Sequence, residues 1–301
     1  MKAALPDPTD ENPNAAEPTG IAEAEEPVIR VAGLVKRFGD RAVLDGVNLE
    51  VAPGETMVVM GASGCGKSTL LGHMIGTLWP DEGHVELFGQ NISQLTEEQL
   101  DNTRKRFGIL FQSGALFNSM TVGENVALPL RAHTDLDADT IDIIVRIKLE
   151  MVALREAIDL MPADISGGMK KRAGLARAIA LEPEILFYDE PSAGLDPVTS
   201  AEIDQLMMDL SRKLGVTSVV VTHEMDSAFR IADRMAMLDL GRMLKVGTRK
   251  QFEEIRDSWS GDDETTDLIR QFLRGDPTGP ITDRRLSSGY EEDILGAAGL
   301  E

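Results

Sequence analysis

The chain has 301 residues, with 51 acidic against 30 basic side chains and a net charge of −21. So acidic a surface argues against nucleic acid as a partner and against direct adhesion to anionic lipid, because both attract basic patches. The composition is 42% hydrophobic, enough for a core, yet no apolar run approaches the ~20 residues that span a bilayer. A single cysteine and an N-terminus without an apolar stretch lead us to expect a cytosolic protein.

The beginning of the chain predicts a tail followed by strands. Residues 1–27 are rich in Pro, Ala, Asp and Glu, which predicts a disordered acidic tail. Short apolar segments over 28–31, 42–44 and 47–51 then predict strands. Phe38 falls on a predicted loop between them, where its ring is expected either in the core or stacked on a purine base.

A glycine-rich loop follows the apolar strand predicted over 56–60. Its residues are Gly61, Ala62, Ser63, Gly64, Cys65, Gly66, Lys67, Ser68 and Thr69, and a helix is predicted after them. This context is typical of a P-loop, whose glycines let backbone N–H groups surround an anion at the positive end of a helix dipole. Lys67 is suited to the β- and γ-phosphates and the Ser68 hydroxyl to Mg²⁺. The loop therefore predicts a nucleotide site.

Strands and helices alternate after the P-loop. Residues 83–88 predict an edge strand or hairpin arm, and a Thr96–Gln99 capping box predicts a helix over 96–106. Gln112 follows the apolar run 107–111, so it is expected either to reach a metal and an attacking water or to be solvated. Helical apolar spacing recurs over 139–149 and 154–160.

A second anion site is predicted where Ser166, Gly167 and Gly168 precede a helix over 168–180. A serine N-cap with two glycines leaves N–H groups free at the helix N-terminus. Because the P-loop already holds one nucleotide, this end lacks an obvious ligand within the chain. A head-to-tail pair of subunits would provide one, each loop closing over the other subunit's nucleotide. A capped helix without a ligand is the alternative.

Two carboxylates follow the buried strand predicted over 185–188. Charges at the C-terminal end of a parallel strand lie where α/β sheets bind ligands, so Asp189 is suited to hold Mg²⁺ and Glu190 to polarise a water. An acidic helix cap is the alternative. His223 follows the apolar run 217–222 and is predicted to contact the γ-phosphate and orient Glu190, unless it is only a structural histidine.

The rest of the chain completes an α/β pattern. Helices are predicted over 200–214 and 225–232 and a hairpin over 235–247. Continuous apolar strands that alternate with helices predict a parallel sheet buried on both faces. Residues 251–301 carry two predicted amphipathic helices and an acidic tail. The spacing of Leu268, Phe272 and Leu273 predicts that this extension packs on a neighbouring subunit and helps to hold a dimer.

Taken in order, these motifs resemble those of the nucleotide-binding subunit of an ATP-binding cassette (ABC) transporter, over roughly residues 28–247. The resemblance implies a P-loop NTPase fold of the α/β class, with a RecA-like parallel-sheet core, an antiparallel β subdomain and an α-helical subdomain at about 93–182. The ATPase domain would cover 28–248, followed by a C-terminal helical extension over 249–280 and a flexible tail over 281–301.

The resemblance also implies a role for each motif. The Walker A loop would be 61–69, the signature 166–169, the Walker B strand 185–189 and the D-loop 192–196. Glu190 would be the general base, His223 the switch histidine, and Phe38 would stack on adenine. Ser68, Gln112 and Asp189 would bind Mg²⁺. ATP would close a head-to-tail homodimer, and hydrolysis would reopen it to drive a membrane partner.

Three segments are similar to the Mla/Mce branch of that family, whose systems move phospholipids or other hydrophobic molecules. They are 114–126, 166–179 and 272–280; the signature has Ile165 and Met169 where Leu and Gln are commonest. The likeness implies a Mla/Mce-type permease, an MCE-domain substrate-binding protein and, in some systems, a STAS-domain protein. Residues 112–126 would line the groove for the permease's coupling helix. The chain would lie at the cytoplasmic face of the inner membrane and contact it through the permease only.

Three other functions are compatible with these motifs. The chain could energise an amino-acid or lipoprotein ABC system, because such cassettes share every catalytic motif. It could be a soluble ABC protein of translation or DNA repair, although those carry two cassettes or a long coiled coil, which this sequence lacks. It could also bind ATP only as a structural switch, against which the intact Glu190 and His223 argue.

Overall fold

The computed structural model describes residues 26–258 and 263–284. The strands are β1 (Ile29–Phe38), β2 (Arg41–Val51), β3 (Thr56–Met60), β4 (Glu82–Leu87), β5 (Gln90–Asn91), β6 (Phe107–Leu110), β7 (Ile185–Asp189), β8 (Thr217–Thr222), β9 (Arg234–Asp239) and β10 (Arg242–Thr248). The helices are α1 (Lys67–Met74), α2 (Glu97–Arg104), α3 (Val122–His133), α4 (Ala138–Met151), α5 (Gly167–Ala178), α6 (Pro197–Leu214), α7 (Met225–Ile231), α8 (Arg249–Asp257) and α9 (Glu264–Arg274). The tail predicted over 1–27 lies outside the described residues except for 26 and 27, and that predicted over 281–301 except for 281–284.

The strands form two sheets. One has the order β2-β1-β4-β5 and is antiparallel throughout. The other has the order β10-β9-β3-β8-β7-β6 and is parallel from β9 to β6, with β10 as an antiparallel edge. The predicted fold class, with its parallel-sheet core and antiparallel β subdomain, is confirmed.

The parallel sheet is covered on both faces, as its continuous apolar strands predict. Neighbouring residues of a strand point to opposite faces, so Val58 and Tyr188 join one core while Val59 and Phe187 join the other. The first core lies against α3, α4 and α5, and the second against α1 and the antiparallel sheet. The P-loop strand β3 therefore lies in the middle of the molecule.

Local sequence signals account for several helix and turn boundaries. The capping box predicted at Thr96 and Gln99 is present and begins α2. The predicted arm over 83–88 belongs to a β4–β5 hairpin, in which Phe88 and Gly89 both take the positive φ of a two-residue turn. It is not an edge strand, because β4 pairs with β1 on its other side.

The helical spacing over 154–160 is a wrong prediction, because that segment holds only a 3₁₀ turn at Arg155–Ala157. Its carbonyls have other partners: Ile158 accepts a hydrogen bond from the N–H of Gly123, and Leu160 from that of Val122, both 2.8 Å long. These N–H groups belong to the first turn of α3, where helices lack internal acceptors. The segment therefore caps α3 instead of forming a helix.

The C-terminal helices pack on their own chain. Phe252 of α8 is fully buried in the core beside the parallel sheet, and Ile269 and Leu273 of α9 belong to the same core. The apolar spacing of α9 is thus explained within one subunit and no longer points to a neighbouring one. After α9, the carboxylate of Asp239 in β9 binds Arg284 at 2.7 Å. The domain limits at 248 and 280 stay predictions.

Within the described ranges, none of the helices combines the length and apolar character needed to cross a membrane.

Candidate nucleotide-binding and catalytic site

The P-loop runs from the end of β3 into α1. Gly61, Gly64 and Gly66 all have positive φ, the backbone conformation that lets the loop curl. The Lys67 side chain turns into the loop, where its Nζ donates to the carbonyl oxygens of Gly61 at 2.8 Å and Ala62 at 3.2 Å. The loop is therefore curled around a buried ammonium group.

The backbone of β2 passes close to this loop. A Cβ atom on Gly66 would lie 2.9 Å from the carbonyl oxygen of Val43, and one on Gly241 would lie 2.5 Å from the same atom. The N–H of Gly241 also donates to the carbonyl of Cys65 at 3.0 Å. The P-loop, β2 and the β9–β10 turn thus meet where only glycine fits. Burial raises the pKa of the Cys65 thiol, which favours its neutral form.

The two carboxylates predicted after β7 lie at the carboxyl edge of the parallel sheet. Glu190 takes a left-handed φ of 48°, and its N–H donates to the carbonyl of Val221 at 2.9 Å. Burial, followed by the charge of Glu190, raises the pKa of Asp189, while Lys171 and Lys67 lower it. Because burial disfavours the charged form of Asp189, a cation next to this side chain would favour its ionised carboxylate.

Glu190 and His223 form a contact pair. The Nδ1 atom of His223 lies 2.9 Å from one carboxylate oxygen of Glu190, and the main-chain N–H of His223 donates to the other at 3.3 Å. The Glu190 side chain is largely shielded, with 13% exposed, whereas 57% of the His223 side chain is accessible. The pair thus presents a sheltered acceptor beside a ring that substrate can reach.

Lys171 is a neighbour of this pair that the sequence reasoning missed. It lies on α5 with 4% of its surface exposed, and its Nζ donates to the main-chain carbonyl of Glu190 at 3.0 Å. Burial lowers the pKa of Lys171, whereas the charges of Asp189, Glu224 and Glu190 oppose that shift. The only signal in the sequence is a lysine on the buried face of the signature helix.

A cavity of about 370 Å³ joins these parts. Most of the residues predicted for the nucleotide site of one subunit line it: Ser63, Gly64, Gly66, Lys67, Ser68, Thr69, Gln112, Glu190 and His223. Val43 also lines it and was not predicted. The structure therefore brings the P-loop, the strand-end glutamine and the Glu190–His223 pair around one space.

Two predicted elements, the 166–168 loop and Phe38, do not line this cavity, and neither do the predicted residues Gly61, Ala62, Cys65 and Asp189. Ser166 caps α5 as predicted, its Oγ accepting the N–H of Met169 at 3.3 Å, and it is exposed together with Gly167. Gly168 is buried, where a Cβ would lie 2.7 Å from a methyl carbon of Thr199. Phe38 ends β1 with 52% of its surface exposed, next to the ammonium of Lys36. Ser166, Gly167 and the ring of Phe38 are therefore accessible to a ligand or to another molecule, whereas Gly168 is not.

Ser68 and Gln112 line the cavity, and Asp189 directly precedes the lining residue Glu190; the donors of these three residues suit a hard cation that a nucleotide helps to bind. Ser68, Gln112 and Asp189 offer a hydroxyl, an amide and a carboxylate oxygen. In the described part of the chain, no group of three or more His, Cys, Asp or Glu residues is placed to hold a metal alone. Mg²⁺ typically combines one or two carboxylates with substrate phosphates and water, so this set fits Mg²⁺.

A larger groove of about 760 Å³ lies on another side of the helical region. Its lining is largely apolar and includes Phe107, Ile109 and Leu128 together with the exposed rings of Phe111 and Phe117. Arg104 of α2 and Arg177 of α5 also line it, the latter with its guanidinium bound to the carbonyls of Gly114 and Ala115.

The fold and the residues around the first cavity define an ATP-binding P-loop ATPase. A model of the ABC transporter family matches residues 44–193. The chain belongs to this family, because it also aligns at 39–41% identity with the ATP-binding proteins described next, over 92–98% of their length. This confirms the resemblance inferred from the motifs.

Relatives with two different names align well with this chain. The chain is 39% identical over 268 residues to the intermembrane phospholipid transport system ATP-binding protein MlaF of Haemophilus influenzae, covering 89% of this chain and 98% of the relative. It is 41% identical to MlaF of Escherichia coli K12, covering 85% and 92%. It is 42% identical to the probable ribonucleotide transport ATP-binding protein mkl of Mycobacterium tuberculosis H37Rv, covering 84% and 68%.

Solved structures of this family share the fold. The chain is similar to cbiO1 of Clostridium perfringens, part of the ABC transporter complex cbiONQ, with a TM-score of 0.71, 29% identity and coverage of 77% and 94%. It is similar to the dimeric ATP-binding cassette MJ0796 bound to ADP and Pi, with a TM-score of 0.68, 30% identity and coverage of 73% and 98%.

Proposed function

We propose that the chain is the ATP-hydrolysing subunit of a Mla/Mce-type ABC transporter that moves phospholipids or other hydrophobic molecules. The single observation that carries the hydrolytic activity is the cavity in which the P-loop faces Glu190 and His223. The MlaF relatives, which are named for phospholipid transport, support the cargo class.

The P-loop binds the triphosphate of ATP in this proposal. Lys67, already withdrawn from water and bonded to two carbonyls, exchanges those partners for the β- and γ-phosphates. The rest of the loop, residues 61–69, supplies backbone N–H groups, and the exposed ring of Phe38 stacks on adenine. Ser68, Gln112 and Asp189 hold Mg²⁺, which neutralises phosphate charge when bound.

Glu190 is the general base that accepts a proton from the attacking water. Its shielded carboxylate is fixed by His223 through the ring Nδ1 and the main-chain N–H. With Nδ1 oriented toward Glu190, the Nε2 atom of His223 is left for the γ-phosphate. Gln112 orients the water from the end of β6. Positioned proton transfer of this kind contributes about 10²–10⁴-fold to a rate.

A second copy of the chain completes each site. Ser166, Gly167 and Gly168 lie outside their own cavity, and the exposed end of α5 leaves N–H groups for a phosphate. The similar cassette MJ0796 is dimeric in its ADP- and Pi-bound structure. The functional unit is therefore a head-to-tail homodimer that closes over two ATP molecules.

The apolar groove beside α3 receives the coupling helix of a Mla/Mce-type permease. Its exposed aromatic residues, Phe111 and Phe117, give it the character of a protein-binding patch. Phe117 lies within the 112–126 segment, and Phe111 directly precedes that segment. The complex would also contain an MCE-domain substrate-binding protein and, as in some systems of this branch, a STAS-domain protein. The chain would contact the membrane through the permease, at the cytoplasmic face of the inner membrane.

The mycobacterial relatives favour a second cargo, because they are named for ribonucleotide transport. Amino-acid and lipoprotein systems are further alternatives, since the ATPase motifs are shared. Purification of the complex from membranes distinguishes them: phospholipid and an MCE-domain protein should copurify. Recovery of a periplasmic solute-binding protein with a ribonucleotide or amino-acid ligand would reject the lipid proposal.

The hydrolytic role is tested by Glu190→Gln in the purified complex. This substitution keeps the shape and the contact with His223 but removes the base, so kcat should fall about 10²–10⁴-fold while ATP still binds. Glu182→Gln is the matched control, because Glu182 is exposed and lies outside the cavity. Equal turnover of the Glu190→Gln and parent complexes would show that the chain is a nucleotide-dependent switch or uses another base.

A further inference from the structure

Lys171 connects two motifs that serve different nucleotides in the proposed dimer. It lies on α5, which begins at the signature loop that would contact the partner's ATP. Its Nζ reaches the main-chain carbonyl of Glu190, the base of its own subunit's site. A single buried side chain thus joins the signature helix of a subunit to its own catalytic glutamate.

The Glu190 backbone is in a conformation that needs such support. A left-handed φ is uncommon for a residue with a side chain and persists where the surroundings hold it. The N–H of Glu190 donates to the carbonyl of Val221, and its own carbonyl accepts from the Lys171 ammonium at 3.0 Å and from the main-chain N–H of Ala193 at 3.2 Å, so both polar groups of its backbone are fixed and Lys171 is the side-chain donor among these partners. Because the backbone directs the side chain, the Lys171 bond helps to aim the carboxylate.

The chemistry of Lys171 also distinguishes it from an ordinary packing residue. Burying an ammonium group is costly unless it is hydrogen-bonded and paired with negative charge. Lys171 meets both conditions through the Glu190 carbonyl and the nearby carboxylates of Asp189, Glu190 and Glu224. Its position therefore depends on the same groups that form the catalytic edge of the sheet.

We propose that Lys171 is a positioning residue that aligns Glu190 in its own subunit and conveys to it the engagement of the signature loop on the partner's ATP. The inference rests on the proposed function, because it requires Glu190 as the base and sites shared between two subunits. Lys171 acts through the main chain of Glu190 and is not itself a catalytic residue.

The first test compares substitutions of Lys171 in the intact complex. Lys171→Met removes the donor and the charge, and kcat should fall about 10–100-fold, as expected when a reacting group is misplaced. The KM for ATP should change little, because the P-loop is untouched. Lys171→Arg keeps a charged donor and should recover part of the loss. Lys170→Met, at the adjacent and more exposed position of α5, is the matched control.

The second test uses mixed dimers isolated through two different affinity tags. One subunit carries Glu190→Gln, so that hydrolysis occurs only at the Glu190 of the other subunit. Lys171→Met placed in the subunit with the intact Glu190 should abolish most of the remaining turnover. The same change placed in the Glu190→Gln subunit, whose signature loop completes the active site, should leave turnover near that of the mixed dimer without it.

The outcomes separate the two proposals. If Lys171→Met acts only from the Glu190→Gln subunit, or lowers kcat no more than Lys170→Met does, the positioning role is wrong while the ATPase proposal stands. If the Glu190→Gln homodimer turns over like the parent, the proposed base itself is wrong. Should Lys171→Met fail to assemble, Lys171→Ala, which also removes the donor and the charge, replaces it in the same mixed dimers with the same outcomes.

Discussion

Truncation of Phe252 tests whether the C-terminal helices are part of the cassette's own core. The ring is fully buried and packs in the core shared by the parallel sheet and α9. A buried aromatic side chain hides about 150–250 Å², worth about 4–6 kcal/mol at ~25 cal/mol per Å². Because alanine retains part of that contact, Phe252→Ala should lower the free energy of unfolding by about 3–5 kcal/mol. At ~2 °C per kcal/mol for a chain of this length, Tm should fall by about 6–10 °C.

Urea denaturation followed by far-UV circular dichroism measures this change, with a thermal scan as a second readout. Phe117→Ala is the matched control, since that phenylalanine is 51% exposed and should shift stability by less than about 0.5 kcal/mol. A Phe252→Ala loss below about 1 kcal/mol would refute the reasoning, because burial on this scale requires more. A separate unfolding transition at lower urea concentration or temperature, with the main transition unchanged, would also refute it, since α8 would then fold independently of the cassette.

Two further predictions concern polar groups. Asp204 of α6 is fully buried and accepts hydrogen bonds from Ser227 and Arg230 of α7. Asp204→Asn should therefore lower the free energy of unfolding by about 1.5–3 kcal/mol. Urea denaturation should show a lower midpoint with an unchanged m-value, and an unchanged midpoint would contradict the pairing. The hydrogen bond from Arg106 lowers the pKa of Glu184 in the folded chain. The ionised Glu184 therefore stabilises the folded state fully above the ordinary glutamate pKa of ~4.3, and this contribution is lost as pH falls through the lower folded-state pKa. The stability difference between the parent and Glu184→Gln should therefore shrink on acidification in pH-dependent urea melts, and growth of that difference would reject the sign.

The residues that sequence reasoning predicted best are those whose role is encoded by their immediate neighbours. Lys67 and Ser68 follow three glycines, and the carboxylates Asp189 and Glu190 follow an apolar strand, so local spacing alone predicts their location. The structure gathers the P-loop and Glu190 around one cavity because parallel strands bring their carboxyl ends to one edge.

The features that were missed depend on contacts between distant parts of the chain. Val43 carries no local signal, and Lys171 carries only that of a lysine on the buried face of α5; their contacts follow from how β2 and α5 pack against the catalytic edge. Helix α3 was overlooked although Thr121 and Glu124 form a capping box at its start, since Pro129 interrupts the helical pattern inside it. A proline in a helix interior argues against the helix locally, and here tertiary packing outweighs it.

The carbonyl of Val43 has a consequence for which substitutions the chain tolerates. Its oxygen atom lies against both Gly66 and Gly241, which are far apart in sequence. A side chain at either position would collide with that same atom. Alanine at either position must displace β2, and a shift of β2 away from one glycine alters its distance to the other. In a saturation-mutagenesis survey, the two glycines should therefore be intolerant together, and a compensating change should map to β2 near Val43. Divergent members that replace one of them should differ at the other, a pairing visible as covariation.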